Sequence, residues 1–401
     1  MIDLGHLRLE NLHDPVHSQG TFPDYATILD AVGTILERGQ AAFQSKISSR
    51  LFIDGGTRDD LSELVTRETK PPETSIEAWL KTITGSSSFC LALNGLNAMS
   101  APIDRYVRTA FNAPWNQQVG MPMGGIDTYC FLGIYPITPF GIHTDREHTF
   151  LYHLGPGRKE AWLWSPADFE QTQGTVQQQF TLDDCEDRAW KVILEPGDVL
   201  YIPAGHYHVL ANPEFSATLG IAPYDRSARD LLKEGVARSL SNEDLDGIID
   251  LDVPLLHADP TKAALPSQHR RDSAGMLLDR AIEFVNDEAR RLQSCDGMKF
   301  APLEVATDLT AKARICLSDG DITVDHRPTS DQIVVYAGGK VFKFAARHQK
   351  PFEQLLAILE RQSPIDLTDI MTGDDREDDF RLHAISVFSR HRIVEIQEPA
   401  S

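Results

Sequence analysis

Two short segments of the chain, about sixty residues apart, carry side chains that could bind one metal ion. The first is Gly141-Ile142-His143-Thr144-Asp145, and the second runs from Pro196 to His208. In an extended segment, residues i and i+2 project to the same face, so His143 and Asp145 can reach one ion from adjacent positions. A further histidine from the second segment would complete two imidazoles and one carboxylate. This is the facial triad that leaves positions of an Fe(II) ion open for oxygen and a cosubstrate.

The second segment offers two candidates for the third ligand. Pro196-Gly197-Asp198 is typical of a turn that enters a short apolar strand, and Pro203-Ala204-Gly205 turns the chain again before the histidines. His206 and His208 have the same parity, so strand alternation does not separate them. The alternative is structural: a solvated His/Asp pair in one loop and a packed histidine in another.

Composition bounds the class of protein. The 401 residues suffice for two or three domains, and 41% apolar and 24% charged residues are typical of a soluble globular chain. No apolar run approaches the roughly eighteen residues that a membrane span needs. The start of the chain lacks the features of a signal peptide. The cysteines are too scattered for a disulfide framework or a C-x-x-C metal site, so we expect a cytoplasmic protein: Cys90, Cys130, Cys185, Cys295 and Cys316.

The net charge of −21 bears on partners. A strongly acidic surface repels phosphate backbones, so neither nucleic acid nor membrane is an expected partner. A basic protein or peptide would be attracted, although the same charge also serves solubility alone.

The chain divides into three parts by pattern. Residues 1–225 hold a barrel at 126–224, whose short segments are broken by Gly and Pro as in a jelly roll. Residues 1–85 are expected to be mostly helical, with an apolar helical stripe at Ile28, Val32, Ile35 and Leu36 and a second helix capped by Thr74 or Ser75.

The region 226–298 is predicted to be helical, with one helix at 226–240 and a longer one capped by Asp272. The longer helix carries one apolar stripe, formed by Leu278, Ile282, Val285, Ala289 and Leu292. Such a stripe must be buried, either against the chain's own barrel or in a dimer.

Residues 299–401 are predicted to form a separate α+β domain. Strands are expected at 313–324 and 332–344, the second broken by the hairpin-like Gly338-Gly339. Helices at 351–359 and 380–388 and a last strand at 393–396 follow. The acidic run at 374–379 is unsuited to a DNA-facing surface, so this domain is expected to be structural or to bind peptides.

The stretch 131–223 resembles the JmjC branch of the cupin-fold 2-oxoglutarate oxygenases. In that family the pattern P-x-G-x-x-H ends in a metal ligand, and it corresponds here to Pro203, Gly205 and His208. The resemblance therefore implies that His143, Asp145 and His208 hold Fe(II), and that His206 lies in the wall of the site or behind the ligands.

The family also places a Lys or Arg on the strand after H-x-D, to pair with the distal carboxylate of 2-oxoglutarate. Counting back from the strand end at Trp164 favours Lys159, and counting forward from His143 favours Arg158. Successive strand residues face opposite sides, so only one of the two can point inward, and we prefer Lys159. A solvated surface charge is the alternative for either residue.

Three hydroxyl side chains are further candidates for the cosubstrate site. Thr138 lies in a Thr-Pro step similar to that of an asparaginyl hydroxylase, where the hydroxyl contacts 2-oxoglutarate. Thr149 and His153 have the parity to line the pocket beside Leu151, or to be satisfied polar groups of the core. Ser216 lies on an expected last barrel strand.

The resemblance implies a double-stranded β-helix core with flanking helices. Ribosomal oxygenases of this class dimerise through helices placed as 226–298 are, and carry a winged-helix domain placed as 299–401 is. The implied activity is hydroxylation of a side chain in a protein or peptide, coupled to decarboxylation of 2-oxoglutarate to succinate and CO2. Hydroxylation of a free amino acid or small metabolite, a cupin enzyme that uses no 2-oxoglutarate, and a non-enzymatic cupin binding protein are the alternatives.

Overall fold

The computed structural model describes most of the chain. The described residues are 12–19, 25–39, 49–59, 63, 65, 67–173, 182, 185–240, 269–305, 309–310, 313–318, 322–326, 331–361 and 364–397.

A large antiparallel sheet organises the described residues up to 223. Its strands are β1 (Val16–Gln19), β2 (Ser49–Ile53), β3 (Gly56–Thr57), β4 (Phe89–Asn94), β5 (Ile126–Tyr135), β6 (His143–Thr144), β7 (Thr149–Pro156), β8 (Lys159–Trp164), β9 (Trp190–Leu194), β10 (Asp198–Ile202) and β11 (Tyr207–Pro223). The main path of hydrogen-bonded neighbours is β1-β10-β7-β11-β5-β4-β2-β3.

Strand β11 closes this sheet on itself. Its first residues pair with β6 and β8, and its later residues pair with β5 and β7. The register shifts between Asn212 and Ser216, where the strand passes from one set of partners to the other. A strand shared in this way gives the double-layered jelly roll predicted from the sequence.

Helices pack around the sheet. They are α1 (Tyr25–Arg38), α2 (Ile76–Thr84), α3 (Leu96–Met99), α4 (Ala101–Val107), a π-helical turn (Arg108–Asn112), α5 (Ala113–Gln118) and α6 (Pro166–Gln173). The apolar stripe of α1 is buried in the main core, and the Oγ of Ser75 accepts a hydrogen bond from the amide of Ala78, so both helix predictions are confirmed. The prediction of a mostly helical region before residue 85 was wrong in part, because β1, β2 and β3 extend the sheet there.

Two helices that pack against each other follow the barrel, α7 (Ala228–Leu240) and α8 (His269–Gln293). Helix α8 begins three residues before Asp272, the predicted cap. The stripe of α8 is only partly covered. Leu292 is buried, whereas Leu278 is 51% exposed and Ile282 is 45% exposed.

The C-terminal residues form two small sheets and two helices with a core of their own. The strands are β12 (Arg314–Leu317), β13 (Ile322–His326), β14 (Gln332–Ala337), β15 (Lys340–Ala345), β16 (Ile365–Asp366) and β17 (Val394–Gln397), and the helices are α9 (Gln349–Leu359) and α10 (Asp375–Arg390). The predicted hairpin is confirmed, with Gly338 and Gly339 at positive φ between β14 and β15. The single strand predicted at 313–324 is two strands, β12 and β13.

The acidic run at 374–379 has a local structural use. The carboxylate of Asp374 accepts hydrogen bonds from the amides of Arg376 and Glu377, and so caps α10. Asp378 accepts from the amides of Thr372 and Gly373. Carboxylates are favourable at a helix N-terminus, where unpaired N–H groups and the helix dipole are found. The winged-helix assignment of this region stays a prediction.

The segment after α8 is docked on the barrel. The amide of Ile126 donates to the carbonyl of Gly297, and the amide of Lys299 donates to the carbonyl of Ile126. The carbonyl of Asp296 accepts from the side-chain amides of Asn112 and Asn116. The C-terminal region is therefore fixed to the barrel at this junction.

Two further expectations can be compared with the structure. All five cysteines are free thiols, as expected from their scattered positions. Among the helices that the structure describes, none has the length and apolar character needed to cross a membrane.

The packing of α7 on α8 depends on a glycine. A Cβ at Gly235 would lie 2.9 Å from the Cα and the carbonyl oxygen of Ala281, so Gly235→Ala must push the helices apart. We expect a loss of roughly 1–3 kcal/mol in the free energy of unfolding, measured as a lower melting temperature. Gly275, on α8 with nothing near its Cβ position, is the matched control. Gly275→Ala should stabilise by about 0.5–1 kcal/mol through helix propensity. Equal melting temperatures for the two variants would contradict the close packing.

Candidate metal centre

Backbone pairing brings the two sequence motifs together. His143 on β6 lies directly opposite His208 on β11 in an antiparallel pair. Asp145 follows β6, and its carbonyl accepts a hydrogen bond from the amide of Gly205. The pairing therefore places H-x-D beside the second histidine segment.

The three side chains converge on one point. One donor atom from each of His143, Asp145 and His208 lies within 4.8 Å of the other two. The Nε2 of His143 is 3.7 Å from one carboxylate oxygen of Asp145, and the Nε2 of His208 is 3.5 Å from the other. His208 is buried, whereas His143 and Asp145 are partly exposed. This is the geometry of a site for one divalent ion with an open side.

Both imidazole rings are oriented by backbone carbonyls. The Nδ1 of His143 is 2.9 Å from the carbonyl oxygen of Gly141, and the Nδ1 of His208 is 3.1 Å from that of His206. Each carbonyl accepts from Nδ1–H, which leaves Nε2 unprotonated and directed at the shared point. Gly141 has a φ of 66°, a conformation that favours glycine, so its place in the motif has a conformational reason.

Electrostatics favour the neutral, metal-binding form of the buried ring. Burial and the neighbouring His143 together lower the pKa of His208 to about 4, against the opposing effect of Asp145. A neutral imidazole at pH 7 can donate its lone pair to a cation without first losing a proton. Two imidazoles and one carboxylate fit a divalent first-row metal.

The triad opens into a cavity of about 240 Å³ inside the barrel. Side chains from β2, β4, β5, β7 and β11 and the loops between them line it: Arg50, Asn94, Asp127, Tyr129, Phe131, Thr138, Phe140, His143, Asp145, Glu147, Thr149, Leu151, His208, Leu210 and Tyr224. Thr138 and Thr149, two of the candidate cosubstrate residues, line this cavity together with Leu151.

The two candidate cations at the start of β8 differ in exposure. Lys159 is fully buried, and its Nζ donates to the hydroxyl of Tyr135 at 3.0 Å. Arg158 is 49% exposed and lies 3.5 Å from Glu160. Burial lowers the pKa of Lys159 to about 8. Lys159 does not line the cavity itself, but Tyr135 shares the strand face of β5 that carries Tyr129 and Phe131, which do.

Other sequence candidates lie outside the cavity lining. Ser216 is fully buried outside the cavity lining, and its Oγ has no hydrogen-bond partner among the described residues. The Nε2 of His153 is 2.7 Å from the carbonyl of Gly157, so this ring supports the turn before Lys159 rather than lining the cavity. His206 contributes its carbonyl, not its ring, to the site.

Sequence reasoning missed several residues of the cavity. Arg50 and Asn94 come from β2 and β4, in the part of the chain expected to lie outside the barrel. Asp127 was missed although it alternates with Tyr129 and Phe131 on β5, a period-2 signal present in the sequence.

Asp127 is held by a residue from beyond the barrel. Its Oδ2 lies 3.2 Å from the Nζ of Lys299, which also sits 3.9 Å from the ring centre of Tyr224. Burial raises the pKa of Asp127, and Lys299 acts against this shift. The segment that follows α8 therefore supports the wall of the cavity.

Part of the chain matches a known protein family. The family model described as the JmjC domain matches residues 128–231. A curated relative, JmjC domain-containing histone demethylation protein 1 of Caenorhabditis elegans, is 29% identical over 102 residues, which is 24% of this chain and 9% of that protein. The match therefore spans a small part of the relative's length.

Solved structures match over the whole chain. The ribosomal oxygenase YcfD of Escherichia coli superposes with a TM-score of 0.51 at 19% identity. Its complex with cobalt and 2-oxoglutarate gives 0.52 at 18% identity, and its complex with cobalt and succinic acid gives 0.51 at 18% identity. Each comparison covers 99% of both chains. The chain has the fold of that oxygenase, and its residues 128–231 match the JmjC domain.

Proposed function

We propose that this protein is an Fe(II)- and 2-oxoglutarate-dependent oxygenase that hydroxylates a side chain of a protein or peptide. The observation that carries the proposal is the convergence of His143, Asp145 and His208 at a cavity within the JmjC domain. The structures of the Escherichia coli oxygenase with cobalt and 2-oxoglutarate and with succinic acid support the same cofactor and cosubstrate here.

The residues divide the work of the site. His143, Asp145 and His208 would hold Fe(II), with both imidazoles oriented by backbone carbonyls. With 2-oxoglutarate bound, the metal would use O2 to hydroxylate an unactivated C–H bond, with one oxygen atom entering the new hydroxyl group and the other the succinate that forms with CO2 from the keto acid. The apolar walls formed by Phe131, Phe140 and Leu151 exclude water from the reacting groups.

Lys159 is the proposed partner of the distal carboxylate of 2-oxoglutarate. It is a buried cation with one neutral hydrogen-bond partner, and a carboxylate beside it would form a charge-assisted contact. The hydroxyl of Tyr135 is placed to donate to the same carboxylate. Thr138, in the cavity wall, and Ser216, with its unpaired hydroxyl, are proposed as further contacts of the cosubstrate, and Thr149 as a contact nearer the metal.

Removal of the metal-binding carboxylate tests the enzyme assignment. Asp145→Ala should abolish Fe(II)-dependent succinate formation from 2-oxoglutarate, because two imidazoles alone hold the ion too weakly. The melting temperature without metal should change little, since Asp145 is partly exposed. Asp225, an acidic residue outside the cavity lining, gives the control Asp225→Ala. Succinate formation that survives in Asp145→Ala would contradict the assigned role of this carboxylate, whereas its absence from the wild type would favour a non-enzymatic cupin binding protein.

The buried lysine makes the affinity for 2-oxoglutarate depend on pH. Below about 8 the Nζ of Lys159 carries its proton, and above this pH the cation is lost. The Kd for 2-oxoglutarate should therefore be flat in the neutral range and rise, by roughly tenfold per pH unit, above pH 8. Lys159→Met should weaken binding roughly tenfold or more at pH 7 and flatten this rise.

The exposed residue that precedes Lys159 in the chain is the control for this titration. Arg158→Met should leave both the Kd at pH 7 and its pH profile within about twofold of the wild type, because a surface ion pair contributes little. A pH profile of the Kd that changes in Arg158→Met and stays as in the wild type in Lys159→Met would show that 2-oxoglutarate does not bind at Lys159.

The substrate class rests on charge. The chain carries a net charge of −21, and Asp127 and Glu147 line the cavity. A basic segment of a protein or peptide suits both features, and the related Escherichia coli enzyme is a ribosomal oxygenase. Hydroxylation of a free amino acid or small metabolite is the alternative. Succinate release stimulated by basic peptides, and not by free amino acids, distinguishes the two.

The acidic charge also argues against nucleic acid as a partner, and the free thiols suit the cytoplasm.

We propose further that α7 and α8 mediate a homodimer. Leu278 and Ile282 form an exposed apolar strip on α8, which a second copy would bury.

Ile282→Glu should weaken the dimer at least tenfold, because the new carboxylate would be desolvated at the interface. Glu283→Gln, on a different face of the helix, is the control. Sedimentation measurements that give a monomer for the wild type, or equal masses for both variants, would contradict this assignment.

A further inference from the structure

A second cavity, of about 490 Å³, lies between the barrel region and the C-terminal module. Helix α4 and the π-helical turn form one wall, and β13, β17 and the end of α10 form the other. This cleft shares no lining residue with the metal cavity. The proposed oxygenase reaction makes no use of it.

An arginine occupies a backbone position in this cleft where glycine is favoured. Helix α10 ends with the amide of Ile393 donating to the carbonyl of Phe388 and the amide of Arg392 donating to that of Ser389. This bonding pattern requires a left-handed residue after the helix, usually Gly. Arg392 holds that position with a φ of 58°, and its side chain lines the cleft.

Three polar atoms in the cleft lack partners. The Nη1 of Arg392, the Nδ1 of His391 and the Oγ of Ser318 are buried and make no hydrogen bond among the described residues. Buried polar atoms are nearly always paired in native proteins, so three unpaired ones in one cleft indicate a missing polar ligand. The Nη1 of Arg392 can only donate a hydrogen bond, and the Nδ1 of His391 can donate one. Both atoms therefore suit a ligand that accepts hydrogen bonds.

The acidic side chains of the cleft contact arginines other than Arg392. Asp104 and Asp296 already contact Arg108, at 2.9 Å and 3.4 Å, and Glu395 contacts Arg105 at 3.6 Å. Arg392 forms no ion pair within the described part of the chain. Burial and the neighbouring Arg38 both lower the pKa of Arg392, and the attraction of Asp104 offsets this shift only in part.

The remaining walls are mainly apolar, with Ala101, Pro302, Val305, Ile322 and Ile393 among them. We propose that this cleft binds an organic carboxylate, with its anionic end on Arg392, His391 and Ser318 and its apolar body against these side chains. The volume suits a ligand of small-molecule size. The carboxylate could belong to a free acid or to the C-terminus of a peptide, since both present the same group.

Hexanoate and its neutral amide are matched probes for the free acid. Isothermal titration uses the full chain with Mn(II) and saturating 2-oxoglutarate, so that the barrel site is already filled. Hexanoate should bind one site per chain, and hexanamide should bind at least tenfold more weakly, because it lacks the charge. Acetyl-Gly-Leu-Leu with a free C-terminus, against the same peptide as an amide, tests the peptide source. No saturable binding of either carboxylate would overturn the proposal.

Variants assign the binding to the arginine. Arg392→Gln should weaken carboxylate binding by roughly tenfold or more. Arg392→Gly should do the same while keeping or raising the melting temperature, because glycine suits the left-handed position. Arg105→Gln, an exposed residue of the same cleft, is the control and should stay within about twofold. Unchanged affinity in Arg392→Gly would overturn the proposal.

A heavy-atom probe locates the site directly. Crystals of the full chain soaked with 6-bromohexanoate should give a bromine anomalous peak in the cleft, with the carboxylate at the guanidinium of Arg392. A bromine peak at the metal cavity alone, near Lys159, would show that carboxylates bind only in the barrel and would overturn the proposal.

Discussion

The antiparallel pairing of β6 with β11 is the constraint on which the site depends. It sets His143 opposite His208, and the amide of Gly205 fixes the carbonyl of Asp145 beside them. Side chains directly opposite in such a pair are close enough to share a ligand. A shift of one residue in this register would turn one imidazole to the other face of its strand and would leave the carboxylate with a single nitrogen partner.

The rest of the barrel serves that pairing. Strand β11 bonds to four neighbours along its length, so the ligand end is held by the same strand that closes the sheet. The carbonyls of Gly141 and His206 fix the ring orientations, and the interior face of β5 carries both the cavity wall and Tyr135, the partner of Lys159. Support also comes from outside the barrel, because Lys299 binds Asp127 across the junction that follows α8. The segment that follows α8 therefore contacts the wall of the metal cavity.

Local motifs could be predicted from the sequence, and long-range placement could not. The H-x-D pair could be predicted because it is a short pattern with fixed side-chain geometry, whereas the choice of His208 over His206 came from the resemblance to the JmjC family. The choice between Lys159 and Arg158 needed strand register, which the Gly155-Pro156-Gly157 turn obscured. Arg50 and Asn94 reach the cavity from strands paired across the sheet, and no local sequence pattern predicts such pairing. The helix at α8 was clear from its period, but how much of its stripe stays exposed depends on α7, through the contact of Gly235 with Ala281.

The central claim is that one divalent ion binds His143, Asp145 and His208 together. Anaerobic crystals of the full chain grown with Mn(II) and 2-oxoglutarate, with data collected at the manganese edge, test it directly. The account predicts a single anomalous peak bonded to the Nε2 atoms of both histidines and to the carboxylate, with the keto acid extending toward Lys159. A manganese peak elsewhere, or none at saturating metal, would contradict it.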